Sequence, residues 1–228
     1  MKQVSLLVII IFTSLSLKSQ NINLSAGSDI PYQHYIGASA GTRNIDFTIR
    51  TGILVPPYSD MVLSLLEQLG TRKSYTRMLE SAYQFGWMNS ISAQYKFGLE
   101  KSWYCGLDLR LDYLTAADTP VDLIEAAVGA QFNIFDFFNP LEVNAELGLT
   151  TYASGIRIGR KFALGSSKKN SLNLEFSIAK HFMTQSRFLI NGNKAEDTNK
   201  IIDNMLWENV FKNYGYLGGF GISYHFSL

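Results

Sequence analysis

The sequence predicts an all-β chain folded as a transmembrane antiparallel up-and-down β-barrel of about ten strands, with eight as the alternative. Three observations carry this expectation. Apolar and polar residues alternate at period two over most of the chain, short and long connections alternate between these segments, and the apolar rows end in aromatic residues. Composition agrees: 46% of the 228 residues are hydrophobic and 13% aromatic, but only 17% are charged, against roughly 25% in soluble domains. A net charge of +1 carries no footprint for nucleic acid, which is excluded as a partner.

The first element is an export signal. Lys2, the apolar run of residues 4–17 and the polar boundary Lys18, Ser19, Gln20 follow the order of a signal peptide. The run is shorter than the about 20 apolar residues that a spanning helix needs. Residues 1–19 are therefore assigned to a cleaved signal and residues 20–228 to one outer-membrane β-barrel domain. No cysteine follows the run, so a lipid-modified N-terminus is not expected, and Cys105, the sole cysteine, has no internal disulfide partner.

Candidate strands are centred near residues 22–27, 34–41, 45–55, 85–98, 102–114, 121–134, 141–151, 155–164, 171–183 and 214–228. The pattern is clearest in the fifth, where Trp103, Cys105, Leu107, Leu109, Leu111 and Tyr113 share one face and Tyr104, Gly106, Asp108, Arg110 and Asp112 the other. The same split sets Ile45, Phe47 and Ile49 against Asp46, Thr48 and Arg50. It also sets Leu141, Val143, Ala145, Leu147 and Leu149 against Glu142, Asn144, Glu146 and Gly148. Residues 141–164 are divided in two because one continuous strand would far exceed the roughly 9–11 residues needed to cross a bilayer.

Short polar turns at 41–44, 99–101, 136–140 and 165–170 contrast with long connections at 56–83 and 185–213, the asymmetry of barrels with short periplasmic turns and longer outer loops. Both long loops carry helical signals. Ser59 stands as a cap before Val62, Leu65, Leu66 and Leu69, with a further turn or two over 71–81, and Ile202, Met205, Leu206, Trp207 and Val210 recur at helical spacing. The apolar Leu65, Leu69, Met205, Trp207 and Phe211 form either a lid over the mouth or a docking surface for other outer-membrane subunits.

The apolar face is assigned to lipid because Trp103, Tyr113, Tyr214, Tyr216, Tyr224 and Phe226 bracket the apolar rows as interfacial girdles do. The opposite face mixes small residues with both signs of charge. In the last segment the even positions from Tyr214 to Leu228 are aromatic, apolar or glycine, with Gly221 followed by Tyr224, Phe226 and Leu228. Here the chain resembles outer-membrane β-barrel proteins, in whose terminal strand a glycine precedes alternating aromatic or apolar residues. The resemblance implies recognition of this segment by the barrel-assembly machinery. In style the chain is similar to small barrels common in Bacteroidota.

The inward face is expected to collect Asp46, Asp108, Asp112, Glu125, Glu142, Glu146 and Glu175 with Arg50, Lys96, Arg110 and Arg157, forming a paired plug rather than an ion path. His34, His181 and His225 fall at different heights and no spacing suits a metal, so neither cofactor nor metal is expected. His225 and Ser227 share a face without a carboxylate to orient them, and no enzyme activity is expected. The expected role is that of an integral outer-membrane barrel with a structural or interaction role, an accessory subunit of an envelope complex. The rivals are a narrow channel for small solutes and a membrane-embedded hydrolase.

Overall fold

The computed structural model describes residues 21–54, 58–68, 70–73, 76, 85–117, 145–166, 169–194 and 196–228. Within them run strands β1 (Asn21–Ile30), β2 (Gln33–Gly41), β3 (Ile45–Leu54), β4 (Phe85–Phe97), β5 (Trp103–Ala117), β6 (Ala145–Leu164), β7 (Asn170–Ile190), β8 (Asn193–Lys194) and β9 (Tyr216–Ser227). Eight of them close an antiparallel ring in which each strand pairs with the next, β7 with β9, and β9 back with β1. The two-residue β8 lies outside the ring, on the end of β7.

The count of ten gives way to eight. The segments 141–151 and 155–164 belong to one strand, the 20-residue β6, which pairs with the 21-residue β7. Bilayer thickness limits only the embedded part of a strand. Beyond it, β6 and β7 continue as a ribbon covered by a helix. The candidate strand 121–134 and the turn 136–140 lie outside the described residues, as do the signal segment, Glu125, Glu142 and Leu69. In any case both edges of β5 are taken by β4 and β6, which leaves no place in the ring for a further strand after it.

The two ends differ. Asn21, Ser227 and the connections 42–44, 98–102 and 165–169 share one, the turn end; the long connections after β3, β5 and β7 leave from the other, the loop end. Helix α1 (Tyr58–Gln68) follows β3. Helix α2 (Glu196–Leu206) runs on through a π-helical turn, Trp207–Phe211, and a last turn, Lys212–Tyr214, into β9. No described helix is long and apolar enough to cross a membrane.

The outside of the ring is apolar. Leu107 (69% exposed), Leu109, Ile156, Phe176, Ile178, Phe220 and Ile222 all stand bare on it, and so does Cys105. Water would make this surface costly, whereas hydrocarbon matches it. Aromatic residues border it, with Phe97, Trp103, Phe162 and Phe226 towards the turn end and Phe85, Trp87, Tyr113 and Tyr216 towards the loop end. On β4, Trp87 and Phe97 are ten residues apart. Ten steps of about 3.3 Å, tilted by about 40°, rise roughly 25 Å, the height of the apolar band of a membrane barrel. Arg160 lies over the Trp103 and Phe162 rings at 5.2 and 5.0 Å, and Lys180 over Tyr216 at 4.9 Å, so these cations sit at the borders of the band.

Near the loop end the inward row of β6 turns from polar to apolar without a change of parity, whereas β7 exchanges its faces. Leu147 and Leu149 point into the ring and Glu146 points out, opposite to the expectation for this segment. The register of β6 on β7 shifts between Tyr152 and Ala153, where β7 carries the extra residue Phe182. One extra residue exchanges the faces of all that follows, so inward positions pass from the odd-numbered Ala179 and His181 to Phe188.

Candidate functional site

From turn end to loop end the interior holds three layers: a polar vestibule, a network of charges and an apolar cap. The charges lie on inward rows of β1, β3, β5, β6 and β7. Glu175 accepts two hydrogen bonds from Arg50, Nη2 to Oε1 at 2.6 Å and Nη1 to Oε2 at 2.9 Å, and a third from Arg157 Nη1. Asp108 Oδ2 accepts from Arg157 Nη2 at 3.0 Å and from Arg110 Nε at 2.8 Å, while Arg110 Nη2 donates to Ser177 Oγ at 2.8 Å. Asp29 completes the group, its Oδ1 3.5 Å from Arg157 and 3.8 Å from Arg50, its Oδ2 held by Gln33 Nε2 at 3.2 Å. These side chains are almost wholly buried, Arg157 at 1% and Glu175 at 2% exposure.

Closure of so narrow a ring around long side chains depends on what faces them. Arg50 is opposite Gly37 and Ser90, Asp108 opposite Ser92 and Gly155, Arg157 opposite Gly106 and Ser177, and Glu175 opposite Gly159 and Gly221. At Gly221 an added Cβ would lie 2.6 Å from Asp29 Oδ1 and 3.3 Å from Glu175 Cβ, both held in the network. Gly221→Val should therefore lower stability by about 1–3 kcal/mol through overpacking. Thermal unfolding in detergent tests this, and an unchanged midpoint would show that the network has room to spare.

Of the expected lumen charges, the structure brings together Arg50, Asp108, Arg110, Arg157 and Glu175. Asp112 is buried beyond Arg110 on the same row of β5. Asp46 and Lys96 pair separately at 2.9 Å nearer the turn end. Glu146 is exposed and takes no part, because the inward positions of β6 are odd-numbered throughout, from Leu147 to Arg157. Asp29 had been missed, although its row, Asn23, Ser25, Gly27 and Asp29, is the small, polar row of β1 and carried the signal. Tyr35, whose ring lies 4.6 Å under the Arg50 guanidinium, was missed as well.

The cap is apolar. Leu54, Met88, Leu114, Leu147, Leu149, Phe188 and Leu217 of the strands meet Leu63 of α1 and Ile202, Leu206, Val210 and Phe211 of the α2 segment. Polar contacts dock α2 on β7: Asn199 Oδ1 accepts from Phe188 N at 2.5 Å, Asn199 Nδ2 donates to Phe188 O at 3.2 Å, and Asp203 Oδ1 accepts from Ser186 N. Of the expected docking surface, Phe211 is buried, Met205 and Trp207 pack partly against the cap, and Leu65 is exposed. Among the described side chains of α1, Leu63 is buried in the cap and Leu66, as expected, packs against it, whereas Leu65 is exposed; the helix already begins at Tyr58, so Ser59 lies within it.

The histidines occupy satisfied positions. His181 is buried against Phe211, its Nδ1 3.0 Å from Gly215 O, and His34 Nδ1 lies 2.7 Å from Ser28 Oγ. His225 Nε2 is approached by Ser223 Oγ at 2.9 Å and by Asn173 Nδ2 at 3.1 Å. A hydrolytic triad needs the nucleophile and the orienting group on opposite ring nitrogens, with the nucleophile accessible. Here both meet the same nitrogen and Ser223 is 2% exposed. Ser227 turns instead to Asn23 Oδ1. Among the described residues no group of three His, Cys, Asp or Glu side chains is arranged to hold a metal.

Likenesses to solved structures are faint in sequence. The chain is similar to a major outer membrane protein of Thermus thermophilus, with 9% identity, 91% of this chain and 98% of that one covered and a TM-score of 0.48. It is also similar to two Acinetobacter baumannii proteins. CarO2 shows 8% identity, coverage of 91% and 98% and a TM-score of 0.40; for CarO the values are 7%, 93% and 99%, and 0.42. No protein-family model matches the sequence, and no curated protein is detectably similar to it.

Proposed function

We propose that this protein is an integral outer-membrane barrel with a closed lumen and a structural or interaction role, an accessory element of the envelope rather than a pore. The observation that carries this reading is the Arg50–Glu175 pair. In the ring of eight, β3 and β7 lie four strands apart, so the pair joins opposite walls. Arg157 on β6 reaches Asp29 on β1, three strands away, and adds a second tie across the lumen. A solute path would have to separate charges buried together, which costs several kcal/mol for each ion left unpaired. Above them the apolar cap supports a second barrier. In this reading the turn end, with the chain termini, faces the periplasm and the loop end faces outward.

Planar-bilayer recording on refolded barrel, with insertion verified by the gel shift between unheated and boiled samples, tests the closure. The expected result is no unit conductance in 1 M salt. Regular ohmic steps from an inserted, heat-modifiable sample would replace this reading with that of a narrow channel.

A further inference from the structure

The vestibule plays no part in closing the lumen, and its chemistry is of another kind. It is a cavity of about 500 Å³ at the turn end, between the charge network and the strand termini. Its described lining carries four cations, Arg43, Lys96, Lys101 and Lys161, against two acids, Asp46 and Glu100. Lys96 is already engaged by Asp46 and by Thr42 O at 2.7 Å. Lys161, half-buried on β6 opposite Asn173, has Asp46 as its neighbouring acid, and Asp46 is already paired with Lys96. A half-buried ammonium beside other cations is stabilised by an anion. The rest of the wall is neutral and hydrogen-bonding, with Ser39, Thr48, Gln94, Tyr104 and Asn173. Asn173 is 6% exposed, with its Nδ2 3.1 Å from His225 Nε2. Hydroxyl, amide and phenol groups of this kind pair with the hydroxyls of a ligand.

The geometry points to a binding site for a small phosphorylated, hydroxylated solute of the sugar-phosphate class. The phosphate lies towards Lys161, Lys101 and Arg43, and the hydroxylated body against Asn173 and its neighbours. A dianion matches the excess of two positive charges in the lining, and lysines act on phosphate as mobile point charges. The volume of the cavity accommodates a hexose phosphate. This site is independent of whether the lumen conducts, and in the proposed orientation it faces the periplasm.

Calorimetric titration of the full-length barrel in a neutral detergent at low salt, with glucose 6-phosphate and with glucose as probes, tests the inference. Glucose 6-phosphate should bind, and glucose should bind at least about ten-fold more weakly. Lys161→Gln should weaken glucose 6-phosphate by about ten-fold, as expected for loss of one charge-assisted contact, with heat modifiability unchanged. If Lys161→Gln does not fold, the exposed turn pair Arg43→Gln with Lys101→Gln takes its place with the same expected loss. Absence of glucose 6-phosphate binding, equal binding of glucose, or unchanged affinity in the folded variant would each overturn the site.

Discussion

Glu175→Leu should destabilise the barrel by about 3–5 kcal/mol, because it leaves two guanidiniums buried with their principal anion removed. Arg50 gives both of its Glu175 contacts to that one carboxylate, and Arg157 gives one of its own. Asp29 is the remaining acid within reach of both, at 3.8 and 3.5 Å, and Gln33 already holds its other oxygen. The damage is one of pairing rather than of net charge. The buried layer holds Arg50, Arg110 and Arg157 against Asp29, Asp108, Asp112 and Glu175, so losing one acid equalises the signs, yet the charges left behind are badly placed. A double-mutant cycle separates these effects. Arg50→Leu in the Glu175→Leu background should cost far less than Arg50→Leu alone, since it removes a charge that the first substitution stranded. Unfolding in detergent measures all three variants. Additive losses, or a Glu175→Leu loss below about 1 kcal/mol, would show that the charges are screened by water and that the lumen is wetter than the closed reading requires.

The network explains how much of the site could be read from the chain. Where a strand carries charges on one row and bare aliphatics on the other, as in β5 from Trp103 to Tyr113, alternation gives both the strand and its facing, because only one row tolerates hydrocarbon. Arg50, Asp108, Arg110, Arg157 and Glu175 were legible for that reason. Alternation alone says only that two faces differ. At the loop end of β6 the interior is filled by helices, so Leu147 and Leu149 turn in and Glu146 turns out, and the same pattern has the opposite meaning. The division of β6 failed for a related reason: bilayer thickness was applied to a strand that outruns the apolar band. Asp29 escaped notice because β1 has few bulky residues to mark its rows, although Asn23, Ser25 and Gly27 share its parity. The Phe182 register shift is beyond sequence reading, since an unpaired residue shows only against the strand beside it.

Ile202→Asp should undock the cap and leave the barrel standing. Ile202 is fully buried among Leu206, Val210 and the inward residues of the strands, so a carboxylate there forfeits apolar burial and enters a site without a cation among the residues of that cluster. The loss is bounded by the energy that docks the α2 segment, because the segment has another choice: it can leave. The ladder of the ring and the Arg50–Glu175 tie do not depend on α2, whose polar contacts are with β7, through Asn199 and Asp203, and whose apolar face meets the inward residues of the cap. Segments joined to a fold by one face commonly open as separate cooperative units. Trypsin is a suitable probe, since Lys194, Lys200 and Lys212 lie on or beside the segment. Cleavage there should accelerate by about 100-fold, equivalent to roughly 3 kcal/mol of lost docking, while the trimmed barrel still shifts on boiling. Conductance should remain absent, because the charge network lies across the lumen beneath the cap. Should trypsin instead degrade the whole chain, cap and ring fold as one unit and the ribbon of β6 and β7 depends on its helix. Should conductance appear in the trimmed barrel, the cap is the true barrier and the charges line a path that it closes.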